Sequence, residues 1–114
     1  MLGYQNMVLG CENVVDGNGN GVAGKSNKVK GSVNTLIGQG NLVKGNYNGA
    51  KGDLNKLKGD GNIVEGHQNI ASGRQNIIKK GNSNQIAGEG NVINHGHYNG
   101  ILGNANYVHG NANG

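Results

Sequence analysis

Proline, tryptophan and phenylalanine are absent from this sequence, and cysteine occurs once, at Cys11. A lone cysteine excludes an internal disulfide and a cysteine-rich zinc centre. There is no long apolar run, so no segment reads as a transmembrane helix. The start, Met1-Leu2-Gly3-Tyr4, lacks the basic and apolar regions of a signal peptide, and the expectation is an extracellular protein whose signal is not in this sequence. Aromatics are limited to Tyr4, Tyr47, Tyr98 and Tyr107, and apolar residues to 33% of the chain, too little bulk for an ordinary globular core. Acidic residues are few and scattered, at Glu12, Asp16, Asp53, Asp60, Glu65 and Glu89. None recurs from repeat to repeat along the chain, so the calcium-binding roll pattern is not met. The expectation is no enzyme: no catalytic residue, no cofactor and no metal site.

What the chain has in excess is glycine, 24 residues of 114, with a net charge of +4. Polar, Gly-rich composition alone suggests disorder. The spacing contradicts that. Gly falls at 3, 10, 17, 24, 31, 38, 45, 52, 59, 66, 73, 81, 88, 96, 103 and 110, and Asn stands three positions after each one. Two residues beyond Asn comes an aliphatic side chain, from Val8, Val15 and Val22 through to Ile101 and Val108, with Ala50 and Ala71 as small exceptions. The unit G-x-x-N-x-(V/I/L)-x therefore runs through a single domain, residues 1–114.

A seven-residue period invites a coiled-coil reading. Each unit carries one dependable apolar position where a coiled coil needs two, and Gly in every turn costs a helix roughly 1 kcal/mol each time. The N-x-V segment alternates with period two, as a strand does, and Gly supplies the corner. Two spacings of eight, Gly73 to Gly81 and Gly88 to Gly96, place extra residues near Lys80 and His95, fifteen positions apart. Two repeats per coil stack both insertions on one corner, whereas three would scatter them. The sequence thus predicts an all-β, two-sided β-solenoid (a β-roll) of eight coils of 14 or 15 residues, roughly 38 Å long at about 4.8 Å per coil. A Val/Ile/Leu stack fills its core. Inward Asn amides bond to their copies one coil above and below, because a buried amide left unpaired costs roughly 1–3 kcal/mol. Ala50 and Ala71 are expected to thin the core locally, with Leu57 and Val64 across from them.

The residues flanking the inward aliphatic point outward, so odd and even repeats form opposite faces. The odd face shows Met7, Leu9, Gly21, Ala23, Thr35, Ile37, Ile63, Ile77 and Val92, and its first three coils carry no charge. The even face carries a lysine stripe, Lys28, Lys30, Lys44, Lys56 and Lys58. That stripe reads in two ways: a solvated face that protects strands from aggregation, or a polyanion site. With no stacking aromatic beside it, the solvated reading takes precedence and specific nucleic-acid binding is not expected. Stacking puts His109 about one coil from His95, with His97 nearby, but no carboxylate or cysteine completes a metal set. Cys11 follows a corner Gly and is expected to be exposed.

The x-x-N-x-V-x-G unit, as in GYQNMVLGCENVVDG and GNLVKG, resembles that of the grass ice-recrystallisation-inhibition (antifreeze) proteins, and the resemblance spans Gly3 to Gly114. It implies a left-handed roll and ice binding through one flat face. Carried over to this chain, the candidate ice contacts are the nine odd-face residues named above, that face being flatter and less charged. Surfaces in that family are rich in Thr and Ser, whereas this chain has only Thr35, Ser26, Ser32, Ser72 and Ser83. Two other readings stand beside it. One is a structural protein that assembles with itself, end to end into filaments or face to face. The other is a polyanion or cell-surface module using the lysine stripe.

Overall fold

Each repeat folds as a short strand and a corner, and the described residues, 3–111 of the computed structural model, contain no helix. In chain order the strands are β1 (Met7–Cys11), β2 (Val14–Asn18), β3 (Gly21–Lys25), β4 (Lys28–Ser32) and β5 (Thr35–Gln39). Then follow β6 (Leu42–Asn46), β7 (Gly49–Lys51), β8 (Lys56–Asp60), β9 (Ile63–His67) and β10 (Ile70–Arg74). The last are β11 (Ile77–Asn82), β12 (Gln85–Glu89), β13 (Val92–His97), β14 (Gly100–Leu102) and β15 (Tyr107–Val108). Odd-numbered strands form an eight-stranded parallel sheet and even-numbered strands a seven-stranded one. The chain therefore makes seven full turns and the first strand of an eighth. The end of the last repeat lies outside the described residues.

The register is that of a two-repeat coil. One inward column runs Val8, Val22, Leu36, Ala50, Val64, Ile78, Ile93, Val108. The other runs Val15, Val29, Val43, Leu57, Ala71, Ile86, Ile101. The molecule measures 39 × 21 × 13 Å, the length that eight rungs require. The two insertions stack as expected. Lys80 (φ 45°) and His95 (φ 56°) sit between the registered pairs Lys79–Asn94 and Gly81–Gly96.

The core is one side chain deep on each side of the axis, and everything from Val15 to Ile101 in the two columns is buried. Ala50 and Ala71 are as buried as their neighbours. Leu36 and Val64 flank Ala50 in its column, and Leu57 and Ile86 flank Ala71. Twelve asparagines, from Asn20 to Asn99, are buried beside this stack. The amide ladder is present with an addition. In the middle of the array, Asn34 Oδ1 accepts the backbone N–H of Asn48 at 2.9 Å and its Nδ2 at 3.1 Å. Asn48 Nδ2 also donates to the Gly59 carbonyl at 2.7 Å, and the same bond to the glycine eleven or twelve residues on recurs along both columns. No buried side-chain nitrogen or oxygen among the described residues lacks a partner. This is how a chain with so little apolar matter closes a core: the polar half of the interior is fully bonded.

The corner glycine is required by more than its dihedral. At Gly45 φ is +130°, and a Cβ there would overlap the carbonyl oxygen of Gly59 in the next coil. Each corner also holds a second left-handed residue two positions later. Most of these are not Gly, as at Glu12, Ser26, Val33, Tyr47, Leu54 and Tyr98, with φ between 55° and 60°. For a β-branched residue that conformation costs roughly 1–2 kcal/mol. Val33, exposed and at φ 58°, recovers little of it by burial. Val33→Gly is accordingly expected to stabilise the fold by about 1 kcal/mol, seen as a higher urea midpoint at unchanged slope. A lower midpoint would show that this corner is not strained.

Candidate functional surfaces

Strand alternation sends two side chains per rung outward, so each sheet presents two parallel columns. On the eight-stranded face, one column is Met7, Gly21, Thr35, Gly49, Ile63, Ile77, Val92 and Tyr107. It contains no charged residue over all eight rungs. Its neighbour starts uncharged with Leu9, Ala23 and Ile37, then continues with Lys51 and Glu65. Met7 is 69% exposed, Leu9 64%, Ile63 52% and Ile37 50%, so these apolar groups face solvent. Ile77 and Val92 are half-buried. All nine candidate residues thus share one face.

On the seven-stranded face the columns are Val14, Lys28, Leu42, Lys56, Ile70, Gln85, Gly100 and Asp16, Lys30, Lys44, Lys58, Ser72, Ala87, Leu102. The five lysines occupy three consecutive rungs and are exposed. Beyond them, β10, β12 and β14 border a broad depression of about 680 Å³. Its lining is mostly aliphatic, with Ser72, Gln85, Asn106 and Tyr107 among it.

The edges of the roll carry a feature that repeat reasoning overlooked. The side chain immediately after the corner Gly reaches back and accepts a backbone N–H from the coil before it. On one edge the Gln39 N–H donates to Asp53 Oδ1 at 3.0 Å, and the His67 N–H to Asn82 Oδ1 at 3.0 Å. Between them the Asp53 N–H donates to His67 Nδ1 at 3.3 Å, and further on the Asn82 N–H donates to His97 Nδ1 at 3.1 Å. The opposite edge repeats the device with Asn46, Asp60 and Asn104. Asn, Asp and His at that one position were the available signal. His97 and His67 are therefore edge-ladder acceptors, and His67 lies 3.5 Å from the Asp53 carboxylate.

His95 and His109 come together as stacking demands, with ring centroids 6.0 Å apart. His95 Nδ1 is 2.7 Å from Asn94 Oδ1. Among the described residues no third histidine, cysteine or carboxylate joins any such pair into a cluster of three. Cys11 is a free, exposed thiol. Among the described residues no helix is long and apolar enough to cross a membrane. No protein-family model matches the chain, and no match is found among curated proteins.

Proposed function

We propose that the protein binds ice through its eight-stranded face. The observation that carries this reading is the uncharged column from Met7 to Tyr107, which repeats once per rung along the whole described length of the roll. Contact with a solid lattice of water requires groups that give up mobile hydration cheaply. Methyl, methylene and hydroxyl groups meet that requirement and ammonium or carboxylate groups do not. Contact also requires that the groups hold their positions before the surface arrives, since ordering them on contact costs affinity. Here every outward residue of the column sits on a strand, and the rungs beneath are fixed by the asparagine ladder. The repeat's resemblance to the grass ice-recrystallisation inhibitors points the same way.

The test is ice-crystal coarsening in a frozen film at micromolar protein. Wild type is expected to arrest it. Thr35→Lys/Ile63→Lys/Ile77→Lys, which charges the column without touching the core, is expected to coarsen at the buffer rate. Leu42→Lys/Ile70→Lys/Gln85→Lys, the same chemistry on the opposite sheet, is expected to behave as wild type. Coarsening of the wild type at the buffer rate removes the reading. Inactivation by the second variant alone moves the site to the other face.

A further inference from the structure

The seven-stranded face concentrates one sign of charge in a way its partner face does not. Lys30, Lys44 and Lys58 stack directly over one another, and Lys28 and Lys56 stand on either side of Leu42 in the adjoining column. No described lysine is ion-paired. One acid shares this face, Asp16, in register with Lys30 at the end of the stripe. On the opposite sheet, where charge enters, Lys51 is registered against Glu65. Alternation of that kind keeps a face soluble while relieving repulsion, because like charges on neighbouring strands destabilise a sheet. Three stacked lysines forgo that relief and leave an uncompensated positive field along a rigid strip.

The surroundings select among anionic partners. No outward position of this sheet is aromatic, Tyr47 lies at the corner beyond β6, and Tyr107 stands on β15 at the end of the roll away from the stripe, so a single-stranded nucleic acid finds no stacking platform along the lysines. The face is a parallel sheet with no helix or ribbon among the described residues projecting from it to enter a duplex groove. Beside the lysine column, the other column alternates aliphatic and cationic side chains: Val14, Lys28, Leu42, Lys56, Ile70. Sugar rings carry apolar C–H faces that aliphatic rungs can cover, with acidic substituents at regular intervals along the chain. We infer that this face binds a linear acidic polysaccharide, its carboxylates against Lys30, Lys44 and Lys58 and its rings over Val14, Leu42 and Ile70. The site is on the sheet opposite the proposed ice contact, so the two readings fail independently.

Ten basic residues divide evenly, five on the stripe and five elsewhere (Lys25, Lys51, Arg74, Lys79 and Lys80), which allows a charge-matched comparison. Changing either set to Gln leaves five basic against six acidic side chains, a net charge of −1. Calorimetric titration with polygalacturonate at low salt is expected to show binding by wild type. The five-fold stripe variant should bind about 100-fold more weakly, the off-face variant should lose far less, and added salt should release the polymer from wild type. Lys30→Gln/Lys44→Gln, which removes two charges from one column, gives a graded part of the loss if the larger variant folds poorly. Equal losses from the two five-fold variants overturn the inference, as does absence of binding by wild type. Tighter binding of a single-stranded oligonucleotide, or of anionic phospholipid vesicles, than of polygalacturonate overturns it in favour of that partner.

Discussion

Gly45→Ala is expected to cost the fold at least about 4 kcal/mol and to leave no two-state transition across the whole array. The added methyl meets the carbonyl oxygen of Gly59, which belongs to the backbone of the next coil and cannot turn away. The methyl also lands 3.2 Å from Asn48 Nδ2, which bonds that same carbonyl. To admit it, two coils must part where a corner, a ladder bond and two strands are all fixed. In a solenoid each coil touches only its neighbours, so the break divides the molecule into two shorter blocks, each with fewer interfaces to support it. Gly49→Ala is the control. Gly49 lies one repeat away on the outer face, φ there is not positive, and a Cβ would meet nothing within 4 Å. Its effect is expected to stay within about 0.5 kcal/mol. Urea unfolding followed by circular dichroism checks both. Similar midpoints for the two variants would show that the coils are not in the close contact described.

Asn48→Ala is expected to be nearly as damaging, at about 4 kcal/mol, for a different reason. The substitution removes the acceptor of the Asn62 N–H, the donor to Asn34 Oδ1 and the donor to the Gly59 carbonyl. The buried Asn62 N–H then has nothing to bond and the part-buried Gly59 carbonyl loses its amide donor, at roughly 1–3 kcal/mol for each orphaned group. Asn48→Asp keeps the acceptor but turns a carboxylate toward the Gly59 carbonyl, and is expected to be no better. Asn46→Ala separates burial from hydrogen bonding. Asn46 also accepts a backbone N–H, that of Ser32 at 2.9 Å, but on the exposed edge, where water replaces it. Its loss is expected to be under about 1 kcal/mol. Urea midpoints for the three variants decide the matter, and equal costs for Asn46→Ala and Asn48→Ala would contradict the ladder's role.

These effects bear on function through stiffness. A face made of single outward side chains is only as regular as the rungs beneath it. Valine and leucine stacks alone, one side chain deep, would let coils slide or tilt. The amide bonds fix the spacing and tie each coil's corner to the next, so the columns of both faces inherit one repeat distance. The proposed ice contact and the proposed polysaccharide contact depend on the same interior while using opposite sheets.

Much of this was legible in the sequence because one position was repeated so often. Asn always three after Gly, with an aliphatic residue two further on, fixes the strand phase, the inward side and therefore both outer faces. The eight-residue spacings at Lys80 and His95 gave the coil size, since only a two-repeat coil stacks them. What escaped sequence reasoning involves backbone. Bonds from Asn Nδ2 to a Gly carbonyl eleven residues ahead join different positions of different repeats, and no side-chain period announces them. The second left-handed residue of each corner is masked because the position accepts Val33, Tyr47 and Leu54 as readily as Gly19, Gly40 and Gly61. The edge ladder hid for a similar reason. Its acceptors are Asn, Asp or His in turn, and only their common distance from Gly unites them. Ala50 and Ala71, expected as thin spots, are buried between larger neighbours in their own columns.

The asparagine interior can be read directly by NMR, from exchange of the side-chain amide protons in heavy water. If the ladder is as described, the Nδ2 protons of Asn27 to Asn91 outlast those of exposed Asn18, Asn46 and Asn104 by orders of magnitude and disappear together with the backbone amides of the strands. Should all asparagine side chains exchange within the dead time while the strand amides remain protected, the amides face water and the stacked-coil account is wrong.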